Sequence, residues 1–273
     1  MAGKIWFGTA ERFTQVNCPA YNARTSHEGW DSSGTFLNGG AYVKSSPTAH
    51  MVYEFDWNLA AHEDIRAIVD YASKVYGEGP VYFYLPGVMN TNALPEYWAS
   101  PVLGLRGEAW LKGATNTEMD TPTAFRSTHD LPLKGVRSVV TSATTLGSFP
   151  VPAGMTAILT VWGRRVSGTG ALTLAGATVN LTTTNARVRA TVLGTTGTTM
   201  MAVSFGAGTF EIFGLVLQVI PTAQVNLIVD GAWVSGRGHS GCRFESRPSV
   251  NTYSAALDKY GASARLIEAG AWE

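Results

Sequence analysis

Ninety consecutive residues, from Thr141 to Asp230, carry only six charged side chains: Arg164, Arg165, Arg187, Arg189, Glu211 and Asp230. The same stretch is dense in Gly, Thr, Val and Ala, and its apolar residues come in short bursts between glycine-containing turns. Runs of that length and spacing are buried most simply by two antiparallel sheets packed face to face. The flanks differ in kind, because they hold 34 of the 40 charged residues and the clearest helical pattern. The contrast predicts a mainly β chain in which a β-sandwich or jelly roll, residues 136–236, is inserted into an α+β domain. That host domain is discontinuous and comprises residues 1–135 and 237–273.

Within the insert, residues 155–166 and 186–193 read as the clearest strands. Further strands are expected at 171–174, 177–181, 199–205, 209–213, 215–220 and 225–229, separated by turns such as Ser167-Gly168-Thr169-Gly170. In the host, Met51 to Trp57 alternates with period two, placing Met51, Tyr53, Phe55 and Trp57 on one face. A helix is predicted over 59–76, where Ile65, Ile68, Val69, Ala72, Val75 and Tyr76 keep the spacing of one helical face. Asn58 is the expected N-cap and Gly77 the expected terminator. Asp31-Ser32-Ser33-Gly34, Gly29 and Asn38-Gly39-Gly40 read as breakers, 88–101 as a long irregular excursion and 116–133 as a polar linker. Tyr253 to Tyr260 is expected to form a short helix, Ala264 to Glu268 a closing strand, and Trp272 an aromatic anchor.

Composition excludes several classes. Net charge is zero, and no basic run exceeds Arg164-Arg165, so no nucleic-acid site is expected. Charged residues make up 15% of the chain, against about 25% in average globular proteins, which suits either a surface covered by neighbouring subunits or a solvated surface rich in Thr, Ser and Asn. Cys18 and Cys242 cannot make a disulfide framework. The first residues lack a signal-peptide core and no apolar run approaches the ~20 residues that span a bilayer. No membrane role or secretory processing is expected.

Motifs for chemistry do not hold together. Gly238-His239-Ser240-Gly241-Cys242 has Cys242 where a nucleophile elbow needs its second glycine. Gly236-x-Gly238-x-x-Gly241 matches a dinucleotide fingerprint formally, without the strand–helix context or the acidic residue about 20 positions on. His27, His50, His62, His129 and His239 have no ligand partner at metal spacing. Glu54, Asp56, Glu63 and Asp64 are explained by a strand face and a helix start. The sequon Asn180-Leu181-Thr182 carries no weight without secretion. No catalytic residue, cofactor or metal is expected, and the chain reads as a non-enzyme. Sugar recognition is the one binding function with candidate residues. On an unbroken strand Trp162 and Arg164 share a face that could receive a pyranose. Alternatively, Trp162 is a core residue and the arginines emerge past a bulge at Gly163.

Several runs resemble a known family. They are His50-to-Trp57 (HMVYEFDW), Asn92-to-Pro101 (NALPEYWASP), Gly236-to-Phe244 (GRGHSGCRF), Tyr253-to-Asp258 (YSAALD) and Ser263-to-Glu268 (SARLIE). Together they resemble distal-tail-type minor tail proteins of long, non-contractile-tailed actinobacteriophages. The resemblance spans both flanks, while the insert is similar only in type to carbohydrate-binding or galectin-like modules. It implies a structural virion protein without catalytic residues, in a ring, typically hexameric, that joins the tail tube to the tip complex. Implied partners are further copies of the chain, the tube protein, the tape measure and the tip or baseplate proteins. Implied location is the virion tail, assembled in the host cytoplasm. The alternative role is adhesion, with the sandwich binding host cell-wall polysaccharide.

Overall fold

The computed structural model describes residues 4–28, 31–35, 41–45, 50–85, 87–106, 110–194, 197–227, 231–254 and 257–268. The chain is mainly β, with several antiparallel sheets and few helices.

The flanking residues build two larger sheets, a two-stranded hairpin and one long helix. Strands β1 (Lys4–Gly8), β2 (Phe13–Asn17) and β7 (Tyr82–Tyr84) form a three-stranded sheet in the order β2-β1-β7. A larger sheet runs β17 (Cys242–Phe244), β19 (Lys259–Glu268), β6 (His50–Ala60) and β3 (Ala20–Glu28), with β18 (Ser249–Ser254) also pairing to β19. The C-terminal strands therefore complete the sheet begun by β6. A hairpin of β4 (Asp31–Thr35) and β5 (Ala41–Ser45) stands apart. Ile5, Phe7, Phe55, Trp57, Ile68 and Phe83 pack into the core of this unit, each burial contributing about 1.5–3 kcal/mol before entropy is counted.

Helix α1 (His62–Ala72) buries Ile65, Ile68 and Tyr71; of the expected face Ile65 and Ile68 are buried, Val69, Ala72 and Tyr76 only partly so, and Val75, beyond the helix end, is exposed. The helix is shorter than the predicted 59–76 at both ends. Ala60 still pairs with Tyr260 of β19, so the strand outcompetes the first helical turn. Leu59 takes a left-handed φ of 56°, and the N-cap is Ala61 instead of Asn58. At the other end Lys74, with φ 60°, leaves helical geometry before Gly77 is reached.

The insert is a sandwich of two antiparallel sheets. One runs β14 (Ala186–Val192), β11 (Met155–Ser167), β16 (Gly208–Pro221), β9 (Lys134–Val140), β8 (Thr115–Asp120). The other runs β10 (Thr144–Val151), β15 (Thr199–Phe205), β12 (Leu172–Leu174), β13 (Ala177–Val179). Leu159, Val161, Leu215 and Leu217 of the first meet Phe149, Leu172, Val203 and Phe205 of the second in one core.

Several expectations are corrected. The runs 209–213 and 215–220 are one strand, β16, bent where Phe213 is inserted opposite the Trp162–Gly163 step. Residues Thr222–Leu227 form a 3₁₀ turn where the strand expected at 225–229 would start, and 228–229 lie outside the described residues. The strands β9 and β10 were missed, and Asp31-Ser32-Ser33-Gly34 is strand β4, because β5 satisfies its backbone. The expected helix over 253–260 begins as β18, held by pairing to β19. Gly29, Asn38-Gly39-Gly40 and Trp272 lie outside the described residues.

The region read as excursion and linker is ordered and belongs with the sandwich. It contains α2 (Val88–Thr91), α3 (Glu96–Ala99), α4 (Pro101–Arg106), β8 and α5 (Thr123–His129). Met89, Leu94, Trp98, Val102 and Trp110 enter the sandwich core, and β8 pairs with β9. Residues on both sides of Trp110 thus pack or pair with the sandwich.

The joint between flanks and sandwich is a backbone splice. Beyond Ile212, β16 has no strand on its β9 side, and residues 92–94 take that place. The Ala93 N–H donates to the Leu217 carbonyl (2.7 Å). The Asn92 amide donates to the Leu215 (3.0 Å) and Val234 (2.8 Å) carbonyls, while its oxygen accepts from the Leu94 (3.2 Å) and Leu217 (3.1 Å) N–H groups. On the far side Arg237 N–H donates to Asn92 O (3.1 Å) and Gly238 N–H to Leu94 O (2.9 Å). A Cβ on Gly238 would lie 1.8 Å from the Ala93 oxygen, so this approach requires glycine.

Candidate functional site

The outer face of the β14-β11-β16 sheet holds the candidate site. Inward residues of β11 alternate with outward ones, so Thr160 and Trp162 face away from the sandwich core. Trp162 stands opposite Arg187 on β14 and Gly214 on β16, and Thr160 opposite Arg189 and Val216. Thr160, Trp162, Arg187, Arg189 and Val216, with Asn90, Gln218 and Val234, line a cleft of about 180 Å³. Gln218 is held by a bond from its amide nitrogen to Asn90 O (2.8 Å), and Arg187 reaches the Gly231 carbonyl at 3.4 Å.

Trp162 is the cleft's floor. It is only 1% exposed, packed with Leu131, Phe213 and Val216 beneath Trp233. Trp233 closes over Gly214, where a Cβ would sit 2.6 Å from the indole. The Trp162 indole N–H is buried with no hydrogen-bond partner, an uncommon state for a buried polar group. The neighbouring His129 ring lies 6.2 Å from that of Trp162, and burial, then the Arg187 charge, hold its pKa below the usual histidine range.

Trp162 and Arg164 do share a face, and the irregularity at Trp162–Gly163 comes from the extra residue in β16. They do not form one site. Arg164 is turned to Glu211, its Nε donating to Oε2 at 2.5 Å, and Arg137 grips the other carboxylate oxygen, its Nε donating to Oε1 at 2.9 Å. Three adjacent strands thus align cation, anion and cation. The arginines beside Trp162 are Arg187 and Arg189, which the sequence reading missed. Their signal was the period-two spacing within Ala186–Val192.

Burial raises the pKa of Glu211, but the hydrogen bonds and charges of Arg164 and Arg137 outweigh it, so the net shift is downward from the ordinary 4.5. A carboxyl group with a lowered folded pKa stabilises the fold above its unfolded pKa and loses that contribution as pH falls through the folded value. Glu211→Gln is therefore expected to be less stable than the native chain at neutral pH. The gap should close as pH drops below about 4.5. Urea midpoints measured from pH 7 to pH 3 would check this, and a gap that stays constant would refute it.

The Gly238-to-Cys242 motif forms a buried polar knot at the splice. Glu268 Oε1 accepts from Ser240 N–H (2.6 Å), Ser240 Oγ (2.9 Å) and Tyr97 Oη (2.8 Å). The His239 ring stacks on Phe83 at 3.7 Å between centroids, and its Nε2 accepts from the Phe83 N–H (3.2 Å). Cys242 Sγ lies 3.4 Å from His239 Nδ1, but burial and then the Glu268 charge push the thiol pKa up. Ser240 turns to Glu268, so no serine–histidine pair forms. Both cysteines are free thiols. Among the described residues no three His, Cys, Asp or Glu side chains gather as a metal site, and no helix is long and apolar enough to cross a membrane.

No protein-family description matches the sequence, and no curated protein does. Among solved structures, the chain is similar to the enzymatically active domain of tailspike protein 4 from bacteriophage CBA120. The identity is 13% and the TM-score 0.29, over 39% of this chain and 18% of that one. The chain thus spans less than a fifth of the matched protein, and a likeness this slight carries no argument about mechanism. It does correct one expectation: the chain was read as a non-enzyme, and the match is to a domain described as enzymatically active. That reading is withdrawn.

Proposed function

We propose that this chain is a structural subunit of a bacteriophage tail, forming a ring, hexameric in the family it resembles, between tail tube and tip complex. The observation that carries the proposal is a sheet open at both ends. Among the described residues, β3 pairs only with β6, and β18 pairs only with β19. An unprotected edge invites pairing with another chain, and two different edges on one protomer give the head-to-tail contact that closes into a ring. Beside the β18 edge, Val250, Tyr253 and Leu257 are 47%, 54% and 72% exposed, an apolar surface suited to burial against a neighbour. The resemblance supports the same role. Its runs include β6, β19 and the splice segments, the parts that give the flanking unit its form. Further partners in this reading are the tube, tape-measure and tip proteins, within the virion tail.

The test is the mass of the purified assembly by light scattering, with and without the tube protein. A discrete closed oligomer is expected, and Val250→Asp with Leu257→Asp should leave folded monomers. A native chain that stays monomeric with its tube partner present would overturn the proposal.

A further inference from the structure

We propose that the cleft above Trp162 binds one acidic saccharide residue, with Arg187 and Arg189 holding its carboxylate or phosphate group. This goes beyond the ring reading and does not depend on it, since the cleft lies on the sandwich and not on the open edges.

Three features support a ligand of this class. First, Arg187 and Arg189 are two apart on β14 and both line the cleft. Guanidinium groups present planar forks of donors that match carboxylate and phosphate oxygens in pairs. Second, the lining joins those charges to the hydroxyl of Thr160 and the amide of Gln218, groups suited to sugar hydroxyls, over an aromatic floor. Third, the Trp162 indole N–H is a buried donor without a partner; it is sealed from solvent, so a bound oxygen relieves its cost only as the indole turns toward the cleft. The size sets the ligand's extent. At about 180 Å³ the cleft is below the roughly 300–1,000 Å³ of drug-sized sites, so it takes one ring of a polymer, with neighbouring units left outside.

Both arginines also engage groups of the protein, as the Arg187 contact with Gly231 illustrates. The ligand therefore competes for them, and single-site affinity is weak. A ring of identical copies would raise the effective affinity for a repeating polymer.

The experiment is calorimetric titration of the full chain with three probes: a galacturonic acid trimer, the neutral galactose trimer and galactose 6-phosphate. The expected result is binding of at least one anionic probe. It should weaken roughly tenfold or more in Arg189→Gln, recover partly in Arg189→Lys, and stay unchanged in Arg66→Gln on α1. Binding of the uronate alone assigns a carboxylate ligand, and binding of the sugar phosphate alone a phosphate ligand. No binding of either anion at about 1 mM, equal binding of the neutral trimer, or binding indifferent to Arg189 would each overturn the proposal. Thr160→Val reads the same site should Arg189→Gln fail to fold.

Discussion

Asn92→Ala is expected to lower stability by about 3–5 kcal/mol, since it strips partners from several buried backbone groups at ~1–3 kcal/mol each. Its amide meets the Leu215 and Val234 carbonyls and its oxygen the Leu94 and Leu217 N–H groups. Alanine can replace none of these, and the site is fully enclosed. Asn92→Asp should be nearly as damaging. A carboxylate could still accept from the two N–H groups but would set negative charge against the two carbonyls. Against a typical total of about 5–15 kcal/mol, either loss would be plain in a denaturant midpoint. A loss below about 1 kcal/mol would mean that the splice does not hold the sandwich edge.

Glu268→Ala should rival it. Its carboxylate is the shared acceptor for Ser240 N–H, Ser240 Oγ and Tyr97 Oη, so removing it orphans three donors, the two of Ser240 buried and that of Tyr97 partly so. A cost of about 3–5 kcal/mol is expected by the same reasoning. Two milder variants locate the source. Tyr97→Phe deletes one bond to a charged group and should cost about 1.5–3 kcal/mol, while Glu268→Gln keeps an accepting oxygen and should fall between the two. Thermal melts of the three variants give the order, and Glu268→Ala melting no lower than Tyr97→Phe would contradict it.

The sequence made some of this legible for identifiable reasons. Local periodicity revealed β6, β11, β14 and the Ile65–Ile68 part of the buried face of α1, because those patterns depend on residues near in the chain. It misjudged the ends of α1, where Ala60 is claimed by a strand some 200 positions later, a contact with no local trace. Polar strands such as β4 and β18 were hidden for the same reason: pairing, not composition, makes them strands. At the candidate site Trp162 was visible but its companions were misassigned. Arg164 is nearer along the chain, yet the cross-strand register delivers Arg187 to Trp162 and Glu211 to Arg164. Asn92 looked like an ordinary loop residue, since nothing nearby reveals that a distant strand leaves one edge for it to occupy.

The way residues 92–94 lie between β16 and the 234–238 segment makes the sandwich poorly detachable. Cutting it out at residues 136 and 236 would remove β8 and the short helices and leave the Leu215–Leu217 edge bare to the first sticky strand it met. A piece running from about residue 88 to 238 carries its own cover with it. The longer piece should accordingly melt as one unit in a thermal scan, while the shorter one should aggregate through its uncovered edge.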